Sequence, residues 1–238
     1  MKRLLATLRC DVRLQFRNGF YYATGFVLLV WAVVIRQLAA SGVSLDLAFL
    51  LPAMLLNNML IGSFFFLGGL VLLERGEGTL EAQVVTPLRV GEYLLSKVIS
   101  LGGLALTQHV ALVLLIAGPR IAVLPLLAGL ASAATLYILT GFAVVVRYRS
   151  INDYLLPSIP YAAVLMLPVL YAAGWDHWLL YLHPMQPAVV LMRAAFAPVA
   201  LWQLVYGVFG SALWIALGYL LARRSYDRFV VAGVETQA

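Results

Sequence analysis

Charge is what this sequence has least of. Sixteen basic and ten acidic residues in 238, or 11% charged, fall far below the roughly one quarter of a soluble domain, and that excludes an ordinary water-facing surface. A single cysteine, Cys10, excludes an intramolecular disulfide. No G-x-x-x-x-G-K-[ST] run occurs, which excludes a phosphate-binding loop of its own. Of the three histidines, His177 and His183 stand near Asp176, but without spacing of the H-E-x-x-H kind, so no metal site is expected. The net charge of +6 would suit nucleic acid, yet the basic residues form short clusters beside apolar runs, the pattern of membrane topology determinants. No nucleic-acid partner is expected.

What remains is hydrophobic: 63% of the chain. Six apolar runs, at 20–35, 47–73, 93–117, 121–146, 154–173 and 201–222, are candidates to cross a hydrocarbon core about 30 Å thick. Before them, residues 1–19 place Leu4, Leu5, Leu8, Val12 and Phe16 at helical spacing beside Arg9, Arg13 and Arg17, which describes a helix lying in the interface. The first run is read as an uncleaved span, the basic region before it being too long for a signal peptide. Asn57 and Asn58 interrupt the second run, and two adjacent amides point about 100° apart on a helix, so at least one should face protein or a water-lined path. Gln108 and His109 lie in the third run, where a histidine bonded into the bundle is favoured over a proton relay. Pro157, Pro160 and Pro168 place the fifth run against the bundle interior, because their freed carbonyls need partners. Residues 174–200, dense in aromatics, suggest short helices at the outer surface, and 223–238 form a tail.

One polar island breaks this pattern, at residues 74–92. Glu74, Arg75, Glu77, Glu81, Arg89 and Glu92, with Lys97 just beyond, would each cost a few kcal/mol at mid-bilayer, so the segment is expected in water or among headgroups. Gly76 and Gly78 permit a sharp turn, Thr79 can cap a helix, and Leu80, Val84 and Leu88 form one apolar face. Thr86-Pro87 is expected to cap and restart a second helix.

The order E-R-x-E-G-T-L-E, then T-P-L, then E-Y-L-L-x-K resembles the first cytoplasmic loop of the membrane subunits of type-2 ABC exporters, within a similar spacing of hydrophobic runs. The resemblance implies an all-α permease in one domain over 1–238. It would have six transmembrane helices, an N-terminal interfacial helix, a coupling helix between spans 2 and 3, and re-entrant helices before span 6. It further implies that Glu77, Gly78, Thr79, Leu80, Glu81, Thr86 and Pro87 couple the chain to a separate ATPase, present in two copies, which binds ATP and Mg; this chain would hold no cofactor and catalyse nothing. A second permease, itself or a paralogue, would complete a path between facing second and fifth spans, giving Asn57, Asn58, Phe65, Tyr161 and Met166 as lining candidates. The chain looks most like small bacterial permeases of drug or antibiotic export, with haem or polysaccharide export, lipid cargo or an intramembrane lipid-processing enzyme as alternatives. Placing both termini in the cytoplasm puts thirteen of the 16 basic residues inside and Arg36, Arg120 and Arg193 outside, a strong positive-inside bias for a multi-pass protein of the inner (plasma) membrane.

Overall fold

The computed structural model describes residues 2–41, 47–119 and 121–232. Arg120 and the 233–238 part of the expected tail lie outside them. The described residues are helical throughout, joined by turns. In order they form α1 (Lys2–Arg17), α2 (Phe20–Ala40), α3 (Leu47–Met59), α4 (Phe66–Gly76), α5 (Thr79–Ala82), α6 (Val90–Ala117), α7 (Val123–Val145), α8 (Ile151–Leu165), α9 (Val169–Ala172), α10 (Gln186–Arg193) and α11 (Leu201–Tyr226). Six stretches are long and apolar enough to span a membrane: Phe20–Leu38, Phe49–Gly76, Val90–Ala117, Val123–Val145, Ile151–Ala172 and Leu201–Val231. The chain is an all-α, multi-pass membrane protein.

Burial orders the spans. The second is 72% buried and the first only 6%, so the second is core and the first lies at the periphery of the bundle. The fourth span, α7, packs on α6, α10, α11 and the middle of the second span. That middle is a widened, π-helical turn over Leu60–Phe65, in which the Phe66 N–H reaches back five residues to the Ile61 carbonyl. Its bulge is received at Gly141, where any Cβ would stand 3.2 Å from the Phe64 carbonyl oxygen. Between α7 and α11 lies α10, buried from Gln186 to Met192. Its eight residues reach about 12 Å and cannot cross, as expected of a short helix in the 174–200 region.

Two expectations give way. The fifth span faces the interior with only one of its three prolines: Pro168 is buried, along with Tyr154, Ser158, Ala162, Leu165, Tyr171 and Ala172, while Pro157 and Pro160 are exposed, as are Leu155, Leu156 and Ile159. Pro157 stands within two turns of the helix start, where headgroup water can reach the carbonyl it frees, and the Val164 carbonyl, freed by Pro168, lies 3.0 Å from His183 Nε2. The last helix also runs on past residue 222, through a second π turn over Asp227–Val231, because Tyr226 and Val230 are buried against the core while Arg223, Arg224 and Arg228 are exposed.

The ends of the spans sort onto two faces. On one, Arg75 at the end of the second span bonds the Val146 and Tyr148 carbonyls just past the fourth, and Arg147 covers the Phe229 ring at the end of the sixth. On the other, the Ala122 N–H meets the Ala195 carbonyl and Gln203 bonds Tyr171 and Tyr181. The first is the basic face, and the polar island lies on it.

Candidate functional site at the basic face

The chain leaves α4 at Gly76 and re-enters a helix at Thr79, a link short enough to require the left-handed conformation at Gly78 (φ 68°). Gly78 therefore holds the capping position expected of Thr79, whose hydroxyl instead reaches back to the Glu74 carbonyl at 2.9 Å. One turn of α5 follows, then a 3-10 turn over Gln83–Val85. Leu80 is fully buried and anchors this short helix, with Val84 and Leu88 packed beside it, so the apolar face read from the sequence is present. Val85, at the tip, is 83% exposed. The next helix begins at Val90, later than Thr86-Pro87 suggests, because Glu92 accepts the Arg89 N–H at 3.0 Å and fixes the cap there. Thr86 closes its own turn onto the Gln83 carbonyl (2.8 Å), and the Pro87 carbonyl accepts from Arg3 at 2.6 Å.

Arg75 fastens the short helix to the bundle. Its Nε donates to Glu81 Oε1 at 3.1 Å, and its Nη1 to the Val146 and Tyr148 carbonyls at 3.0 and 2.5 Å. One guanidinium thus joins the second span, α5 and the loop after the fourth span.

The largest departure from the sequence reading concerns Glu74 and Lys97, expected in water. Both are buried, in protein rather than lipid. The Lys97 ammonium donates to Asp11 Oδ1 at 2.5 Å and to Glu74 Oε1; Tyr93 O–H donates to Glu74 Oε2 at 2.7 Å and Ser96 O–H to Asp11 Oδ2 at 2.6 Å. Withdrawing such charges from water costs several kcal/mol per ion, so the cluster persists only because nearly every charged atom has a partner. Beneath it, Tyr93, Phe142 and Tyr226 pack ring on ring at 5.7–6.3 Å, joining spans three, four and six.

Asp11 escaped the sequence reading because α1 was read by its apolar stripe. In that stripe Leu5, Val12 and Phe16 are exposed and Leu4 and Leu8 half-buried, as suits a helix in the interface. The bundle-facing side is polar instead: Asp11 meets Lys97, and Gln15 Nε2 donates to Ser100 Oγ at 2.9 Å. The signal was the spacing of Asp11 and Gln15, four apart and so on one face. Arg17 completes the attachment by pairing with Glu77. Between α1 and the loop lies an open cleft of about 830 Å³, bordered by Arg3, Arg13, Glu77, Thr79, Gln83 and Pro87 among others.

All seven residues expected to couple to a partner therefore stand together on one face. The five path candidates do not. Asn57 and Tyr161 are exposed within their spans; Asn58 is buried and accepts the Trp31 indole N–H at 2.9 Å. Phe65 lies half-buried, edge-on to Phe64, and Met166 stands 3.7 Å from the Tyr137 hydroxyl. His109 is buried with Nδ1 2.6 Å from the Ala105 carbonyl, one turn before it.

On the opposite face, His177 Nδ1 accepts the Leu179 N–H at 3.3 Å and His183 Nδ1 the Met185 N–H at 3.1 Å, each capping a turn. Burial lowers the His183 pKa below its ordinary value, against a smaller opposing pull from the Val164 carbonyl at its other nitrogen.

Residues 2–234 match the model of the "Fluoroquinolones export permease protein family". Two curated fluoroquinolones export permease proteins of Mycobacterium tuberculosis, from strains CDC 1551 / Oshkosh and ATCC 25618 / H37Rv, are each 34% identical over 235 residues, spanning 97% of this chain and 98% of theirs.

Proposed function

Because the chain belongs to the fluoroquinolones export permease family, we propose that it is the membrane subunit of an ATP-driven exporter carrying fluoroquinolone-like drugs outward across the inner membrane. ATP and Mg are held by a separate ATPase, two copies of which meet the basic face from the cytoplasm. The observation that carries this reading is the short helix α5: Leu80 roots it in the core, Arg75 ties it to the second and fourth spans, and Val85 is left at the tip with most of its surface free. A rooted lever with an exposed apolar tip is suited to receive a push and pass it on. Closure of the ATPases would press on 79–85, and the links from Arg75 and Lys97 would rock the second and third spans together with α1, switching access from one side to the other.

A second permease, a copy or a paralogue, would face the fifth and second spans. Asn57 supports this placement. Its amide is exposed at membrane depth without a partner among the described residues, a costly arrangement in lipid and a favourable one in a wet path between two permeases. Tyr161 offers exposed aromatic surface to the same space, with Asn58, Phe65 and Met166 supporting from behind.

The test is accumulation of a fluoroquinolone in cells expressing the chain with an ABC-type ATPase subunit from the same genome. Lower accumulation that requires both proteins, and that is lost in Glu81→Arg, is the expected result. Accumulation unchanged by the pair, or lowered equally by this chain alone, would overturn the reading.

A further inference from the structure

A second cleft opens on the basic face, between the end of the fourth span and the end of the sixth. It encloses about 360 Å³ and is lined by Arg147, Leu221, Arg224, Ser225, Arg228 and Phe229. Three arginines thus converge on one small space. Arg147 and Arg228 lie over the same Phe229 ring, with their guanidinium carbons 5.7 and 5.3 Å from its centroid. None of the three takes part in the four ion pairs among the described residues. Asp227, the acid adjacent in sequence, is exposed and pairs with none of them. Three like charges so close repel one another unless an anion stands among them.

The remaining lining narrows the choice of anion. The Ser225 hydroxyl has no hydrogen-bond partner among the described residues, so it is free to donate to an oxygen. Leu221 is both a wall of the cleft and 48% exposed, and it continues into Leu220, Leu217 and Leu213 along the lipid-facing side of α11. A ligand that fills this site has a compact oxyanion at one end and apolar chains beneath it. The π turn over Asp227–Val231 shapes the cleft by carrying Arg228 and Phe229, and it also touches α5.

We propose that this cleft binds the phosphodiester headgroup of an anionic phospholipid from the leaflet at the basic face, with the acyl chains lying along α11. Arg147, Arg224 and Arg228 hold the phosphate, and Phe229 keeps two of the guanidiniums in place by cation–π contact. The bound headgroup steadies the π turn against which α5 rests, which makes the position of the short helix sensitive to lipid charge. The assignment does not depend on the exporter reading.

The test is native mass spectrometry of the detergent-purified full chain titrated with phosphatidylglycerol, with phosphatidylcholine, or with phosphatidylglycerol plus inorganic phosphate. One tightly retained phosphatidylglycerol is expected, outlasting phosphatidylcholine. At about 1 kcal/mol per arginine, Arg224→Gln with Arg228→Gln weakens it roughly thirtyfold and Arg147→Gln alone roughly fivefold. Arg223→Gln, exposed and outside the cleft, leaves it unchanged. The idea fails if phosphatidylcholine is held equally, if inorganic phosphate displaces the lipid at equal concentration, or if Arg223→Gln is as damaging as the double variant. It fails equally if the arginine variants retain the lipid but lose a bound ATPase, which would make the cleft a protein contact.

Discussion

The two ends of this bundle are held together by different chemistry. All four ion pairs among the described residues are at the basic end, and they connect segments 23 to 86 positions apart as well as the neighbours Arg75 and Glu81. The opposite end uses ring contacts and neutral hydrogen bonds: Tyr181 lies 5.2 Å from Tyr206 and 5.4 Å from Trp202, Gln203 bridges two tyrosine hydroxyls, and Arg193 rests on the Tyr171 ring at 4.9 Å. Charged, geometrically defined links transmit displacement, and at Lys97 breaking one strands a buried charge. Ring contacts slide at small cost. The difference teaches that the basic end is built to move as a unit, and the other end to yield.

The contrast breaks most sharply at Lys97. Lys97→Met leaves the Asp11 and Glu74 carboxylates buried without their cation, and about 3–5 kcal/mol of stability is lost, seen as a fall in thermal unfolding temperature in detergent. Glu74→Gln costs less, since Asp11 and Lys97 remain paired. The combination Asp11→Leu, Glu74→Leu, Lys97→Met recovers most of the stability; failure to recover would mean that the cluster matters for packing rather than charge. Next in size, Arg75→Gln removes two carbonyl bonds and the Glu81 pair, costing about 2–3 kcal/mol, and frees α5, so hydrogen exchange finds 79–85 more open while the opposite face is unchanged. At that opposite face, Gln203→Leu costs only about 1 kcal/mol and leaves exchange at 79–85 untouched.

The smallest effect is one of pH. His183 has its pKa depressed in the fold, so the unfolded chain binds the extra proton first. Its contribution to stability is complete above the ordinary histidine value of about 6.5 and is lost as pH falls from there through the lower folded value. Unfolding followed between pH 7.5 and 5 should show this loss near His183, and His183→Gln should remove it.

Much of this architecture was legible in the sequence, and the reasons are local. Six apolar runs, the turn at Gly76 and Gly78, and the apolar face at Leu80 are written in neighbouring residues. The candidate coupling residues Glu77 to Pro87 came from a contiguous motif, and all but the buried Leu80 lie at least partly open at the basic end. The charge cluster was not legible, because Asp11, Glu74 and Lys97 are far apart in the chain, and each alone is simply a charge that should avoid lipid. Avoiding lipid by burial against protein looks the same in sequence as avoiding it by exposure. The fifth span misled for a related reason: three prolines report that the carbonyls four residues before them are freed, but not that water reaches the first of these and the His183 ring meets that of Val164.

The central claim is that the basic end grips an ATPase through α5. The measurement that tests it most directly is co-purification of that ATPase with the tagged chain, comparing wild type with Val85→Arg, which alters only an exposed tip, and with Trp202→Ala on the opposite face. The account predicts that the ATPase is recovered with wild type and Trp202→Ala and is lost with Val85→Arg. Equal recovery with all three would contradict it.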